Sequence, residues 1–316
     1  MIRKAFSLIV LTALLPTMGC EDEIDHNALK AEEERYFNLY MNANYQDKSP
    51  LTSGLYFIEE KEGSGLSPDT GNFVLINYLA YTIPDETVVD TYTEKWAREY
   101  NLYNSGVLYG PYKYKHGSEA EGMKEGLSRM KEGGIARLIF KSDLGYGANG
   151  LGNIGKYASL MYDIELVKVI RDVEQWELDK INTFLAEHPN AFPIHDDETD
   201  VTMYYIPGVA GDSTHVKDGE IVEIFYTGSL LDGRVFDSNI GQSSGFRVTM
   251  GEEEVIRGWE IGLKWFRYGG TGQLLIPHQL GYGERGSFAG NTAKTSIPPY
   301  ETLLFEIEVS KTSVDE

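Results

Sequence analysis

The residues of this chain best suited to a binding chemistry lie in Glu254-Val255-Ile256-Arg257-Gly258-Trp259, where helical spacing sets Trp259 beside Ile256. Tyr226, in Tyr226-Thr227-Gly228, precedes this stretch, and Tyr282, in Gly281-Tyr282-Gly283, follows it. Together they predict the floor and walls of one aromatic pocket, shallow and apolar, with few polar groups. Other patterns carry less. Gly145 to Gly150 and Gly281 to Gly286 both fit the dinucleotide spacing GxGxxG, but neither opens an apolar helix or a βαβ unit. Their glycines are expected to shape tyrosine-bearing loops. The six histidines are scattered, and His188 with His195 and Asp196 is too loosely spaced for a metal site. Neither a metal nor a cofactor is expected.

The elements that must position this pocket follow from hydrophobic period. Ile221 to Tyr226 and Phe246 to Met250 read as strands, and Leu231-Asp232-Gly233-Arg234 carries the aspartate-glycine signal of a tight hairpin. Ile256, Trp259, Leu263 and Phe266 share one face of a short helix, and Leu303, Phe305, Ile307 and Val309 alternate as a final strand. The class expected is α+β, an antiparallel sheet wrapped on one helix.

The same plan occurs earlier in the chain. Leu55-Tyr56-Phe57-Ile58 ends 20 residues before Tyr78, as Met203-Tyr204-Tyr205-Ile206 ends 20 before Tyr226, and the strand Phe73 to Tyr78 matches the later one. Met123 to Tyr146 and Trp259 to Tyr282 both span 23. Equal intervals framed by similar residues indicate a repeat at domain scale. Before the first copy, Leu29, Tyr36 and Tyr40 suggest a docking helix. Between the copies, Asp172 with Gln175 predicts a capping-box start, Leu178, Ile181 and Leu185 an apolar stripe, and Pro189 its end. His195 to Glu198 is expected to mark the boundary. The expected domains are therefore a leader over 1–19, a tether and helix over 20–50, a first domain over 51–170, a helical linker over 171–200 and a second domain over 201–316.

Length agrees, since 316 residues at about 150 per domain suggest two. Hydrophobic residues at 41% and charged residues at 24% exclude wholesale disorder. A net charge of −21 repels phosphate, so no nucleic-acid partner is expected.

The one cysteine bears on location. Met1 to Lys4 is a basic start, Ala5 to Leu15 a short apolar run, and Met18-Gly19-Cys20 follows Pro16 and Thr17. This pattern is that of a signal peptide and is short for a membrane span. It resembles a bacterial lipobox, although Thr17 departs from the usual bulky aliphatic residue. The resemblance implies lipidation of Cys20, a membrane anchor and a place in a bacterial cell envelope. The acidic run Glu21-Asp22-Glu23-Ile24-Asp25 is similar to a surface-export signal of Bacteroidetes-type lipoproteins.

The second copy, over about 203–310, resembles the FKBP-type peptidyl-prolyl isomerases. Six ordered motifs carry the resemblance: Phe225-Tyr226-Thr227-Gly228, Val235-Phe236-Asp237-Ser238, Val255-Ile256-Arg257-Gly258-Trp259-Glu260, Gly281-Tyr282-Gly283, Ile297-Pro298-Pro299 and Leu304-Phe305. The resemblance implies a half-open antiparallel sheet around a short helix, and cis/trans rotation of the bond before proline. It places Trp259 under the proline ring, with Tyr226, Phe246, Val255, Ile256, Ile297 and Phe305 around it. Ile256 N–H and the Tyr282 hydroxyl would hold substrate carbonyls, and Phe236 and Asp237 would lie beside the twisting amide. Proline-containing polypeptides are the implied partners, with rapamycin-class macrolides as conceivable ligands. One departure is the loop Glu284 to Ser296, several residues longer than in small family members and placed at a rim that selects ligands in the family.

The first copy is similar but altered. Tyr78, Asp90, Tyr146 and Tyr162 hold matching places, whereas Val89 stands for the phenylalanine and Met123 for the tryptophan. Tyr78 to Met123 spans 45 residues against 33 for Tyr226 to Trp259, and Trp96, Tyr100, Tyr103, Tyr109, Tyr112 and Tyr114 crowd the extra length. A methionine floor under an aromatic flap suits peptide binding better than a rigid proline cup, so weak or absent turnover is expected there. The alternative for the whole chain is a binding module or chaperone holding proline segments of an envelope or motility complex.

Overall fold

The computed structural model describes residues 25–212, 214–290 and 294–311. Cys20 and the leader expected over 1–19 lie outside them. Among the described residues no helix is long and apolar enough to cross a membrane.

The first half runs α1 (His26–Asn44), β1 (Tyr56–Lys61), β2 (Phe73–Ile83), β3 (Thr87–Thr91), α2 (Glu94–Glu99), β4 (Tyr112–Lys115), α3 (Glu121–Arg129), β5 (Ile135–Phe140) and β6 (Ser159–Ile170). The linking helix is α4 (Val173–Glu187). The second half runs β7 (Phe192–Asp196), β8 (Val201–Pro207), β9 (Ile221–Leu230), β10 (Val235–Ser238), β11 (Phe246–Thr249), α5 (Arg257–Gly262), β12 (Thr271–Ile276), β13 (Ser287–Phe288), β14 (Thr295–Ile297) and β15 (Leu303–Lys311).

One antiparallel sheet has the order β1-β5-β6-β2-β3 with β4 also on β2, and the other β8-β12-β15-β9-β10 with β11 also on β9. Strand for strand the two orders correspond, which gives the α+β repeat its physical form. Each sheet bends around one short helix that approaches through glycines. In α3, a Cβ at Gly126 would lie 2.3 Å from a Leu138 methyl, and in α5 one at Gly262 would lie 2.6 Å from a Leu274 methyl. The final strand alternates as expected, with Leu303, Phe305, Ile307 and Val309 all buried against the core. The Leu231 to Arg234 turn closes the β9–β10 hairpin, and Gly233 supplies its positive φ.

The other face of each sheet is covered by a helix. Phe37, Tyr40 and Met41 of α1 pack with Ile139 and Met161, and Ile181, Phe184 and Leu185 of α4 pack with Leu275 and Leu304, the equivalent positions. Each helix also buries one carboxylate against the strand pair. Glu33 accepts from Ser142 N–H, Ser142 Oγ and Ser159 Oγ at 2.6–2.7 Å. Glu177 accepts from Thr302 N–H at 3.2 Å.

Several local expectations change. The buried stripe of α1 is Glu33, Phe37, Tyr40 and Met41, leaving Tyr36 exposed, because the chain turns a polar residue inward to bond the sheet. In α4 Leu178 is exposed while Ile181 is buried. Asp172 caps Gln175 N–H at 3.0 Å, but the Gln175 side chain bonds Asp179, so only half of a capping box forms. His195 and Asp196, expected at a boundary, belong to β7, which pairs with β8 and extends the second sheet.

The halves meet through a buried ionic group. Lys113 Nζ of β4 lies 3.3 Å from Glu177 of α4 and 2.6 Å from Glu301 just before β15. Lys180 approaches both carboxylates at 3.0 and 3.1 Å. Burial of Lys113 is tolerable because two opposite charges surround it.

Candidate functional site

In the second half the sheet curls past α5 and leaves a cavity of about 630 Å³. Strand β9 brings Tyr226 to it, β10 brings Phe236 and Asp237, β11 Phe246, β15 Phe305, and the entry to α5 brings Val255, Ile256 and Trp259. Tyr282 arrives on a loop shaped by Gly283 and Gly286, both at positive φ. A Cβ at Gly286 would lie 2.1 Å from Ile297 O, so that close approach requires glycine. The glycines of the GxGxxG pattern thus shape a tyrosine-bearing loop, and Gly147 and Gly150 repeat the conformation beside Tyr146.

All ten pocket residues expected from the second copy line this one cavity, including Ile297. Glu254, Ser287 and Ser296 also line it; none was named as a site residue, but each lies in a stretch the sequence had placed at the pocket or its rim. The last two arrive with the long rim loop, whose strands β13 and β14 pair across it.

Trp259 forms the buried floor, and three rings meet it edge to face: Tyr226 at 5.0 Å, Phe305 at 5.1 Å and Phe246 at 6.2 Å between centroids. Phe236 in turn meets Phe305 at 5.5 Å and 85°. Such edge contacts fix each ring against its neighbour and leave a rigid apolar cup. The polar features are few. Asp237 is exposed at the rim and accepts from the Tyr226 hydroxyl at 2.5 Å. Burial, and then this bond, push the Tyr226 hydroxyl well above the usual tyrosine range. Tyr282 is also pushed up, first by burial and then by the charge of Asp237. Both hydroxyls therefore stay protonated and able to donate. Among the described residues no group of three or more His, Cys, Asp or Glu could hold a metal ion.

The first copy places the same set differently. Tyr78 donates to Asp90 Oδ2 at 2.6 Å, Met123 lies buried on the floor, and Tyr162 stacks against Phe140 at 5.8 Å. Tyr146 packs at the edge of the cluster. Tyr78, Val89, Met123 and Tyr162 are all buried, however. Tyr92 and Tyr112 stack at 4.2 Å, Tyr112 and Tyr114 at 5.1 Å, and Ala289 of the second domain is buried in the same cluster. The aromatic insert was expected to be a flap over a peptide pocket; several of its rings pack into the buried cluster that holds Met123. Its departures were visible in sequence as two separate features, the extra length between Tyr78 and Met123 and the long loop Glu284 to Ser296. Nothing in their spacing shows that they meet.

Comparison with known proteins agrees with the repeat. A family model described as FKBP-type peptidyl-prolyl cis-trans isomerase matches residues 65–167 and 212–310, more than half of the chain. A probable FKBP-type peptidyl-prolyl cis-trans isomerase of Haemophilus influenzae is 41% identical over 109 residues, 34% of this chain and 41% of that protein. FK506-binding protein 1 of Saccharomyces cerevisiae is 39% identical over 99 residues, 31% of this chain and 82% of that protein. Peptidyl-prolyl cis-trans isomerase FKBP9 of Homo sapiens is 29% identical over 188 residues, 60% of this chain and 28% of that protein. The matches thus span less than half the length of the Haemophilus and human proteins.

Proposed function

The chain belongs to the FKBP-type peptidyl-prolyl cis-trans isomerase family, matched in both halves, and from that premise we propose that its second domain catalyses proline-bond isomerisation. The observation that carries the proposal is the cavity floored by Trp259 and rimmed by the Tyr226–Asp237 pair.

Rotation about the peptide bond faces a barrier of roughly 18–20 kcal/mol because resonance must be lost. No bond breaks, so no nucleophile is needed. At the top of the barrier the amide is twisted, its carbonyl less polar and its nitrogen more pyramidal. An apolar cup that receives the proline ring favours this less polar state over the planar, well-solvated one. Trp259 with Phe246, Phe305, Val255 and Ile256 supplies the cup. Phe236 and Asp237 stand at the side where the substrate carbonyl swings, and the carboxylate is the fixed charge nearest the twisting amide. Tyr226 sets the carboxylate's orientation by its hydrogen bond. Tyr282 at the rim is a donor for a substrate carbonyl, and Ile256, which caps α5, offers a backbone N–H.

The substrates proposed are proline-containing polypeptides, with rapamycin-class macrolides as competitors for the same cup. The name of the yeast relative supports the latter choice, since that protein is an FK506-binding one. The location proposed is a bacterial envelope, with Cys20 as the lipidated anchor. Met18-Gly19-Cys20 after a short apolar run is its support. The role that follows is assistance to folding outside the cytoplasm. A first domain closed to substrate makes one working site per chain.

The deciding experiment measures isomerisation of a proline peptide by the mature chain and by Asp237→Ala and Trp259→Ala. Each substitution should lower kcat/KM by about tenfold or more. A wild type without acceleration, or two variants as active as wild type, would defeat the proposal.

A further inference from the structure

The long rim loop of the second domain is held by the first. Thr295 donates its N–H to the Tyr92 hydroxyl at 2.9 Å, and its carbonyl accepts from Leu108 N–H at 3.2 Å. Lys294 Nζ lies 2.7 Å from Asp90 and donates to Thr91 O at 2.9 Å. The domains exchange side chains here: Leu108 is buried in the second core and Ala289 in the first. The next residues after Thr295, Ser296 and Ile297, line the catalytic cavity, as does Ser287 on the paired strand.

We propose that the first domain is a clamp for the second domain's active site, in which Asp90, Tyr92 and Leu108 are positioning residues that fix the rim loop and thereby set substrate affinity. Asp90 holds the place equivalent to Asp237, but its carboxylate faces a lysine of the same chain. The aspartate keeps its tyrosine partner and binds the loop with its other oxygen. The physical reason is entropic. The β13–β14 hairpin is short, and a two-stranded hairpin alone is marginal in water. Held on both sides of Thr295, it presents Ser287, Ser296 and Ile297 to an extended peptide already ordered, so binding does not have to order them. The interaction bears on binding more than on the twist of the amide, because neither Asp90 nor Tyr92 lines the cavity.

This inference rests on the isomerase reading only for its kinetic arm. The full chain is compared with Tyr92→Phe, which keeps the ring stack and removes the acceptor, with Lys294→Met, and with Lys294→Arg, which keeps the charge. Amides over 287–290 and 294–297 should exchange about tenfold faster in Tyr92→Phe and Lys294→Met than in wild type or Lys294→Arg. KM for an extended proline peptide should rise about fivefold in the same two variants while kcat stays within about twofold. Unchanged exchange would overturn the clamp, and faster exchange with unchanged KM would overturn its role in affinity. Should wild type show no turnover, the isomerase reading falls by itself. The affinity of the same peptide, measured by calorimetric titration, then replaces KM, with a fivefold loss expected and no loss refuting the role.

Discussion

Tyr226 and Asp237 are joined across the mouth of the open pocket by a 2.5 Å hydrogen bond, and their counterparts Tyr78 and Asp90 are joined by one of 2.6 Å. The pair survives in both copies, although in the first copy Tyr78 and the floor residue Met123 are both buried. In the second domain the carboxylate is exposed at the rim; in the first it also holds Lys294 at 2.7 Å. One local geometry thus stands at an open cavity in one copy and against a neighbouring loop in the other.

The first prediction concerns that pair. Replacing Tyr226 with Phe keeps the ring against Trp259 and frees the Asp237 carboxylate to rotate. Loss of one hydrogen bond to a charged group, about 1.5 kcal/mol, corresponds to roughly a tenfold fall in kcat/KM. Because burial and Asp237 raise the Tyr226 hydroxyl, ionisation of this tyrosine should leave kcat/KM flat up to about pH 10. A pH–rate profile in which wild type loses activity below that limit through a group absent from Tyr226→Phe would contradict it.

A second prediction tests whether the floor alone distinguishes the copies. Met123→Trp restores the family's residue in the first pocket, but Met123 is buried in a packed cluster with Tyr92, Tyr112 and Ala289. The larger ring should overpack the core and cost about 1–3 kcal/mol of stability. It should add no turnover to an Asp237→Ala background. Thermal unfolding and the isomerisation assay on that double variant check both parts, and a gain of activity would show the first pocket to be open.

The contrast between these pockets shows what sequence can carry. The main strands, the helix carrying Trp259 and the ring set around it were legible because alternation and helical period act within short windows, and a repeated motif doubles each signal. The convergence of Tyr226, Phe246 and Phe305 on Trp259 follows from those elements once the sheet curls. Closure of the first pocket was not legible, since Ala289 and Lys294 reach it from a loop nearly two hundred residues away. Glu33 and Glu177 were missed for a related reason. Each looks like a solvated helix residue until the serines or the lysine that satisfy it are brought up by the sheet. Edge strand β7 was hidden in an acidic stretch, where Asp196 reads as surface until Arg257 is seen beside it.

The third prediction concerns the seam between domains. Lys113 is buried with Glu177 and Glu301. In Lys113→Met two buried carboxylates keep only Lys180 as a counter-charge, so the variant should lose about 3 kcal/mol. Replacing the lysine and both acids together by apolar residues should recover much of that loss. Denaturant midpoints of the single and triple variants measure the difference. A triple variant as unstable as the single one would mean that the charges, and not their imbalance, hold the seam.

The last prediction is a pH dependence anchored next to the pocket floor. Arg257 donates to both carboxylate oxygens of Asp196, at 2.7 and 3.3 Å, and so ties the β7–β8 turn to the first residue of α5. This contact holds the Asp196 carboxyl below its usual range, against the opposing effect of burial and with help from Thr199. A folded-state pKa below the unfolded one means that the contribution is full above about pH 4 and disappears as pH falls through the lower, folded value. Asp196→Asn should therefore be less stable than wild type by about 1 kcal/mol at neutral pH, a modest figure because Arg257 is partly exposed. The two stability curves should converge on acidification below about pH 4, and a constant offset would refute the linkage. Since Arg257 stands between Ile256 and Trp259, peptide affinity of wild type should weaken over the same acid range, and that of Asp196→Asn should change less.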